Sequence, residues 1–123
     1  MNNLLIEATE DTPKVELDLT NNVFRISERS LPENSIEFYQ PILNWIEEYS
    51  KHPNLKTIFE FRLEYFNTSS AKQIAKILLL LEKLSHDSEV LIKWFYNKDD
   101  RDIHSSGTRY SKLINVKFEL IEE

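Results

Sequence analysis

Val15, Leu17 and Leu19 alternate with Glu16 and Asp18, the period-two spacing of a strand with one buried face. Thr20-Asn21-Asn22 follows, then the short run Val23-Phe24-Arg25-Ile26. Asparagine tolerates positive φ, so Asn21-Asn22 predicts a two-residue hairpin turn. Leu4-Leu5-Ile6 reads as a further strand, separated from the others by Asp11-Thr12-Pro13. The first third is therefore expected to form a small antiparallel meander. Asn34 with Glu37 three residues later has the form of a capping box. Beyond it Ile36, Tyr39, Leu43, Ile46 and Tyr49 recur at helical spacing. Pro41 inside this stripe predicts a kink, or a helix whose regular part begins near it.

Thr57 to Leu63 is a strand rich in β-branched and aromatic residues, with Phe59, Phe61 and Leu63 on one side. A second helix is predicted from about Ala71 to Leu84. Ile74, Ile77, Leu78, Leu81 and Leu84 form its inner face, and Leu79 and Leu80 broaden it enough to suggest burial on more than one side. Val90 to Phe95 is a nearly continuous apolar strand of the parallel-sheet kind. The polar stretch from Asn97 to Ser111 has room for a short helix, and Val116-Lys117-Phe118 supplies a last strand. Alternation of strand and helix favours right-handed crossovers. The expected fold is a single α/β domain over residues 1–123: a mixed sheet with about two long helices packed mainly on one face.

Composition then removes function classes. The 123 residues carry 15 Lys plus Arg against 21 Asp plus Glu, a formal charge of −6. That balance disfavours nonspecific binding to nucleic acid or to an anionic membrane. No cysteine is present, which excludes disulfides, thiol catalysis and Cys-ligated zinc. Met1 to Glu7 lacks a basic segment and meets a charge early, and the longest apolar run is Ile77 to Leu81. Neither a signal peptide nor a membrane span is expected, and a cytoplasmic location is. Gly107 is the only glycine, which rules out phosphate-cradling glycine loops and the nucleophile elbow.

The remaining chemistry is sparse. His52, His86 and His104 have no metal-ligand spacing and read as surface histidines. Glu60 and Glu64 share a strand face with Arg62 between them, a charge-compensated pattern; an acid–base pair would need a cleft that also gathers the Asp99-Asp100 turn. Asp99-Asp100-Arg101-Asp102 reads as a solvated turn ahead of a magnesium site. Trp94, Phe95, Tyr96 and Tyr110 divide between core and a possible interface, with at least two of them in the core.

Asn67-Thr68-Ser69-Ser70 lies at a strand-to-helix junction. Such residues cap helices, because their oxygens satisfy the unpaired N–H groups of the first turn. The same physics accommodates a phosphate, which would meet those donors and the positive end of the helix dipole while adding about −1.5 to −2 of charge. Lys72, one turn on, is placed to hold such a phosphate.

Tyr65-Phe66-Asn67-Thr68-Ser69-Ser70-Ala71-Lys72 and Arg29-Ser30-Leu31-Pro32-Glu33-Asn34, with Phe38-Tyr39-Gln40-Pro41, Trp45, Trp94-Phe95-Tyr96, Asp99-Asp100 and the segment from Gly107 to Phe118, together resemble the SiaC family of bacterial regulatory phosphoproteins. The resemblance spans nearly the whole chain. Glu28 stands where it implies a glycine, and Asn21-Asn22 replaces a glycine-containing turn. It implies a fold similar to the anti-anti-sigma (STAS) domain and a non-catalytic partner switch without cofactors. A cognate Ser/Thr kinase would phosphorylate Thr68, a PP2C-type phosphatase would reverse it, and the unphosphorylated form would bind a partner such as a diguanylate cyclase. Tyr65, Asn67, Ser69, Ser70 and Lys72 would form the partner-binding surface, with Ser69 and Ser70 either alternative acceptors or only caps. Competing readings are a constitutive scaffold or oligomer subunit and, further behind, a carboxylate enzyme. The output, the sign of the switch and the oligomeric state are left open.

Overall fold

A computed structural model describes all 123 residues. The elements run β1 (Leu4–Ile6), β2 (Lys14–Asp18), β3 (Val23–Ser30), α1 (Ser35–Tyr49), β4 (Lys56–Phe66), α2 (Thr68–Leu84), β5 (Glu89–Tyr96), α3 (Arg101–Leu113) and β6 (Lys117–Glu122). The six strands lie in chain order in one sheet. β1, β2 and β3 pair antiparallel, and β3 through β6 pair parallel. The three crossovers all step the same way across the sheet, so connections of one hand put every helix on the same face. Alternation then fills a single core: Val15, Leu17, Phe24, Ile26, Phe59, Phe61, Leu63, Val90, Ile92 and Trp94 point toward the buried sides of α1 and α2. The opposite face mixes apolar residues, among them Ile58, Leu91, Phe95 and Ile121, with a charged network. There Arg25 bridges Glu16 and Glu60, Arg62 pairs with Glu60 and Glu123, and the Arg62 guanidinium lies 3.6 Å from the centre of the Phe95 ring.

Several expectations are corrected. The β2–β3 connection is a four-residue turn, Leu19 to Asn22, because Asp18 accepts from the backbone and side-chain amides of Asn21 and draws Leu19 out of the strand. Asn22 does take positive φ, 54°. β3 continues past Ile26 to Ser30. α1 runs uninterrupted through Pro41, whose ring is exposed beside the equally exposed Glu37, so the carbonyl that loses its helical donor lies next to solvent. Ile36 leaves the buried stripe and is 65% exposed; Ser35, Ile42 and Trp45 take its place. α2 begins at Thr68, three residues before the predicted start. It is buried on one side only, with Leu79 55% exposed. The polar stretch after β5 holds a 13-residue helix, α3, so three helices cover the sheet; β6 begins at Lys117 and reaches Glu122.

α3 explains the single glycine. A Cβ on Gly107 would stand 2.6 Å from the Trp94 indole nitrogen, 2.7 Å from Leu120 Cδ2, and closer still to Trp94 Cδ1. Only a bare Cα lets α3 approach β5 and β6 this closely, and Trp94 Nε1 then donates to the Ile103 carbonyl at 2.9 Å.

Candidate functional site

The carboxyl ends of β3 and β4 meet the first turns of α1 and α2, the usual position of a site in an open α/β sheet. β4 carries a bulge opposite the end of β3. Glu28 pairs with Leu63 but Arg29 pairs with Tyr65, so Glu64 has no opposite residue and the side-chain alternation shifts. Glu28 has φ of 74°, the left-handed conformation that suits the glycine implied by the family resemblance. Past the bulge Ser30 is buried, while Arg29 is exposed with its guanidinium carbon 5.5 Å from the centre of the Tyr65 ring.

Asn67 follows β4 directly and caps α2. Its backbone N–H donates to the Ser30 carbonyl at 3.1 Å, and its side-chain oxygen accepts from the Ser70 N–H at 2.9 Å. Thr68, Ser69 and Ser70 are thus the first three residues of the helix, and their hydroxyls have different fates. Ser70 is 0% exposed. Its hydroxyl donates to the Ser30 carbonyl at 3.0 Å and accepts from Ser30 Oγ at 2.9 Å. Because Ser30 donates there, its 2.6 Å contact with Tyr39 Oη has the phenol as donor. The result is a buried chain from Tyr39 to Ser30 to Ser70, ending on a main-chain oxygen. Burial pushes the Tyr39 phenol up to about 12, which keeps it a neutral donor. Ser69 is exposed, but its Oγ is engaged by Ser35 Oγ at 2.7 Å and donates to Asn67 Oδ1 at 3.1 Å, joining the starts of α1 and α2. Thr68 is exposed, and its hydroxyl takes part in none of these bonds. Lys72 is exposed four residues on, forms no ion pair, and lies over the same side of the helix as Thr68.

The predicted surface residues therefore divide. Tyr65, Thr68, Ser69 and Lys72 are exposed and Asn67 is half-buried, so these can meet a partner; Ser70 cannot, and its role is internal. Sequence reasoning missed the structural roles of Ser30, Ser35, Tyr39 and Tyr110. The first three flank the start of α1, where small hydroxyls and a tyrosine inside an apolar stripe were the available signal. Tyr110, assigned from sequence to the aromatic group, donates to the Ala71 carbonyl at 2.8 Å and ties α3 to the first turns of α2.

The carboxylates do not assemble a catalytic site. Burial raises Glu60, but hydrogen bonds and positive charge from Arg25 and Arg62 outweigh it and hold the carboxyl below its ordinary value. Asp100 accepts from the Ile103 N–H at 3.0 Å as the cap of α3. Glu64 and Asp100 border one shallow surface depression with Arg62 and Glu123, apart from Glu60 and Asp99. No cluster of three His, Asp or Glu has metal-binding geometry, and all three histidines are exposed. No helix is long and apolar enough to cross a membrane.

Residues 6–123 match the family model described as SiaC family regulatory phosphoprotein. The chain belongs to the SiaC family. It is 31% identical over 119 residues to an uncharacterised protein of Pseudomonas aeruginosa (strain UCBPP-PA14), covering 96% of this chain and 94% of that one. SiaC of Pseudomonas aeruginosa superposes with a TM-score of 0.90 at 26% identity over the full length of both chains. The crystal structure of the diguanylate cyclase SiaD in complex with its activator SiaC, also from Pseudomonas aeruginosa, gives a TM-score of 0.91 at 26% identity, covering 98% of this chain and 99% of that one. This SiaC-family chain is thus a regulatory phosphoprotein, not an enzyme.

Proposed function

We propose that residues 1–123 act as one cytoplasmic switch module whose unphosphorylated form binds and regulates a diguanylate cyclase. A cognate Ser/Thr kinase transfers phosphate to Thr68 Oγ1, and a PP2C-type phosphatase removes it. The observation that carries the reading is the contrast among three adjacent hydroxyls: Thr68 free and exposed, Ser69 engaged, Ser70 buried. Family membership supports the phosphoprotein role, and the likeness to a SiaC solved with its cyclase supports the partner. A phosphate on the first helical residue leaves the Asn67 cap and the buried relay intact. It meets the positive end of the α2 dipole, and Lys72 pairs with it. The switch is then a change of surface charge on a fixed scaffold, felt by any partner whose footprint covers Thr68.

The test is peptide mass spectrometry on the chain from its native host, beside the Thr68→Ala variant, then titration calorimetry of both phosphorylation states against the cyclase encoded in that host. Phosphate on Thr68, absent from the variant, with binding weakened roughly tenfold or more by phosphorylation is the expected result. Equal binding with Thr, Ala or Glu at position 68 would replace the switch with a constitutive scaffold.

A further inference from the structure

The solvent side of α2 is locally basic on a chain that is acidic overall. Thr68, Lys72, Lys76, Leu79 and Lys83 follow one another at steps of four, four, three and four, which places them on one strip within an arc of roughly 80°. All five are exposed. None of the three lysines has an ion-pair partner, although the chain carries −6 overall. The one acid of the helix, Glu82, is half-buried, and its carboxylate accepts from the Asn115 N–H at 2.6 Å. α1 packs beside α2 and carries Glu37, Glu47 and Glu48 with no basic residue; none forms an ion pair with a lysine of α2, although Glu47 and Asp87 border the same depression as Lys83. Leu79 stands bare in the middle of the strip.

We propose that the exposed face of α2, formed by Lys72, Lys76, Leu79 and Lys83, is a docking surface for an acidic amphipathic segment of a protein partner. Lys72 and Lys76, with Lys83 at the far end beside Glu47 and Asp87, surround one exposed leucine and complement a segment carrying carboxylates around an apolar residue. A nucleic acid fits less well, because it offers nothing to Leu79 and the remaining surface repels its phosphates. The regulation of this surface rests on the reading of Thr68 above. A phosphate there lies at one end of the strip, pairs with Lys72 and repels an acidic segment, so it weakens docking without moving the helix. The surface itself does not depend on that reading.

The experiment is an NMR titration of the full chain with a short amphipathic peptide built of Glu, Ala and Leu, beside its counterpart with Lys for Glu and a DNA duplex. Saturable shifts confined to residues 72–83, with the acidic peptide only and declining as salt is raised, are expected. The combined Lys72→Gln, Lys76→Gln and Lys83→Gln variant should bind roughly tenfold more weakly while keeping its helix content, since Gln is a good helix former. Shifts elsewhere, unchanged affinity in that variant, or tighter binding of DNA on the strip would overturn the proposal. A chain carrying phosphothreonine at position 68 should bind the peptide several-fold more weakly. Equal binding there, still mapped to α2, would uphold the surface and count against the switch at Thr68.

Discussion

Ser30 Oγ donates to Ser70 Oγ at 2.9 Å across 40 residues of sequence, and the Ser70 hydroxyl returns a bond to the Ser30 carbonyl. This pair fastens the first turn of α2 to the end of β3 directly beneath Thr68. Removing one partner leaves buried polar groups without a mate, so Ser70→Ala should cost about 1–3 kcal/mol in chemical denaturation. The double variant with Ser30→Ala should cost less than the sum of the singles, because the first loss already breaks the bond. Strict additivity would mean that the two hydroxyls are not coupled.

Asn67 is the next point of control. It caps α2 through Ser70 N–H and orients Ser69, so Asn67→Ala should lower stability by about 1 kcal/mol, whereas Asn67→Asp should retain most of it. Amide hydrogen exchange at Ser70 reads the same change locally, and unaltered protection in Asn67→Ala would argue against the cap.

Replacing a helix-interior glycine by alanine ordinarily stabilises by up to about 1 kcal/mol. At Gly107 the sign should reverse, because the added methyl meets Trp94 and Leu120. A loss of about 1–3 kcal/mol is expected, with a changed near-ultraviolet signal from Trp94 as the indole is displaced. A more stable Gly107→Ala protein would show that α3 can withdraw from the sheet at little cost.

The pH dependence follows from Glu60 and Tyr39. The Glu60 carboxyl sits below its ordinary 4.5 in the folded chain. Its contribution is therefore complete above about pH 4.5 and is lost as pH falls through the lower folded value. Glu60→Gln should be less stable than the parent by about 1 kcal/mol at neutral pH, with the gap closing in acid; a constant gap would contradict this. In alkali, Tyr39 moves from an ordinary 10.0 to about 12 on folding, so its contribution is complete below pH 10.0 and is lost as pH rises toward 12. Tyr39→Phe should remove part of that alkaline decline and leave the part from Tyr110, which burial likewise pushes up to about 12.

Local patterns in the chain determined much of this protein. The alternation of Val15 and Leu17 and of Phe59, Phe61 and Leu63, the inner stripe of α2, and the caps at Asn34 and Asn67 are governed by neighbours within a few residues. Such features survive reading in one dimension, as does the Asn-Thr-Ser-Ser junction. Tertiary structure decided which of several equivalent residues turns inward. Spacing puts Leu78 and Leu81 on the inner face of α2 but cannot say whether Leu79 is covered as well; a helix packed on one side only leaves Leu79 outside. Ile36 fits the helical stripe by spacing, but at the start of α1 the neighbour is the polar first turn of α2, which takes Ser35 through Ser69 and turns Ile36 to solvent. The three hydroxyls after Asn67 are chemically alike in the sequence. What separates them is the arrival of β3 and α1, which bring Ser30, Tyr39 and Ser35 from far along the chain to occupy Ser70 and Ser69 and leave Thr68 free.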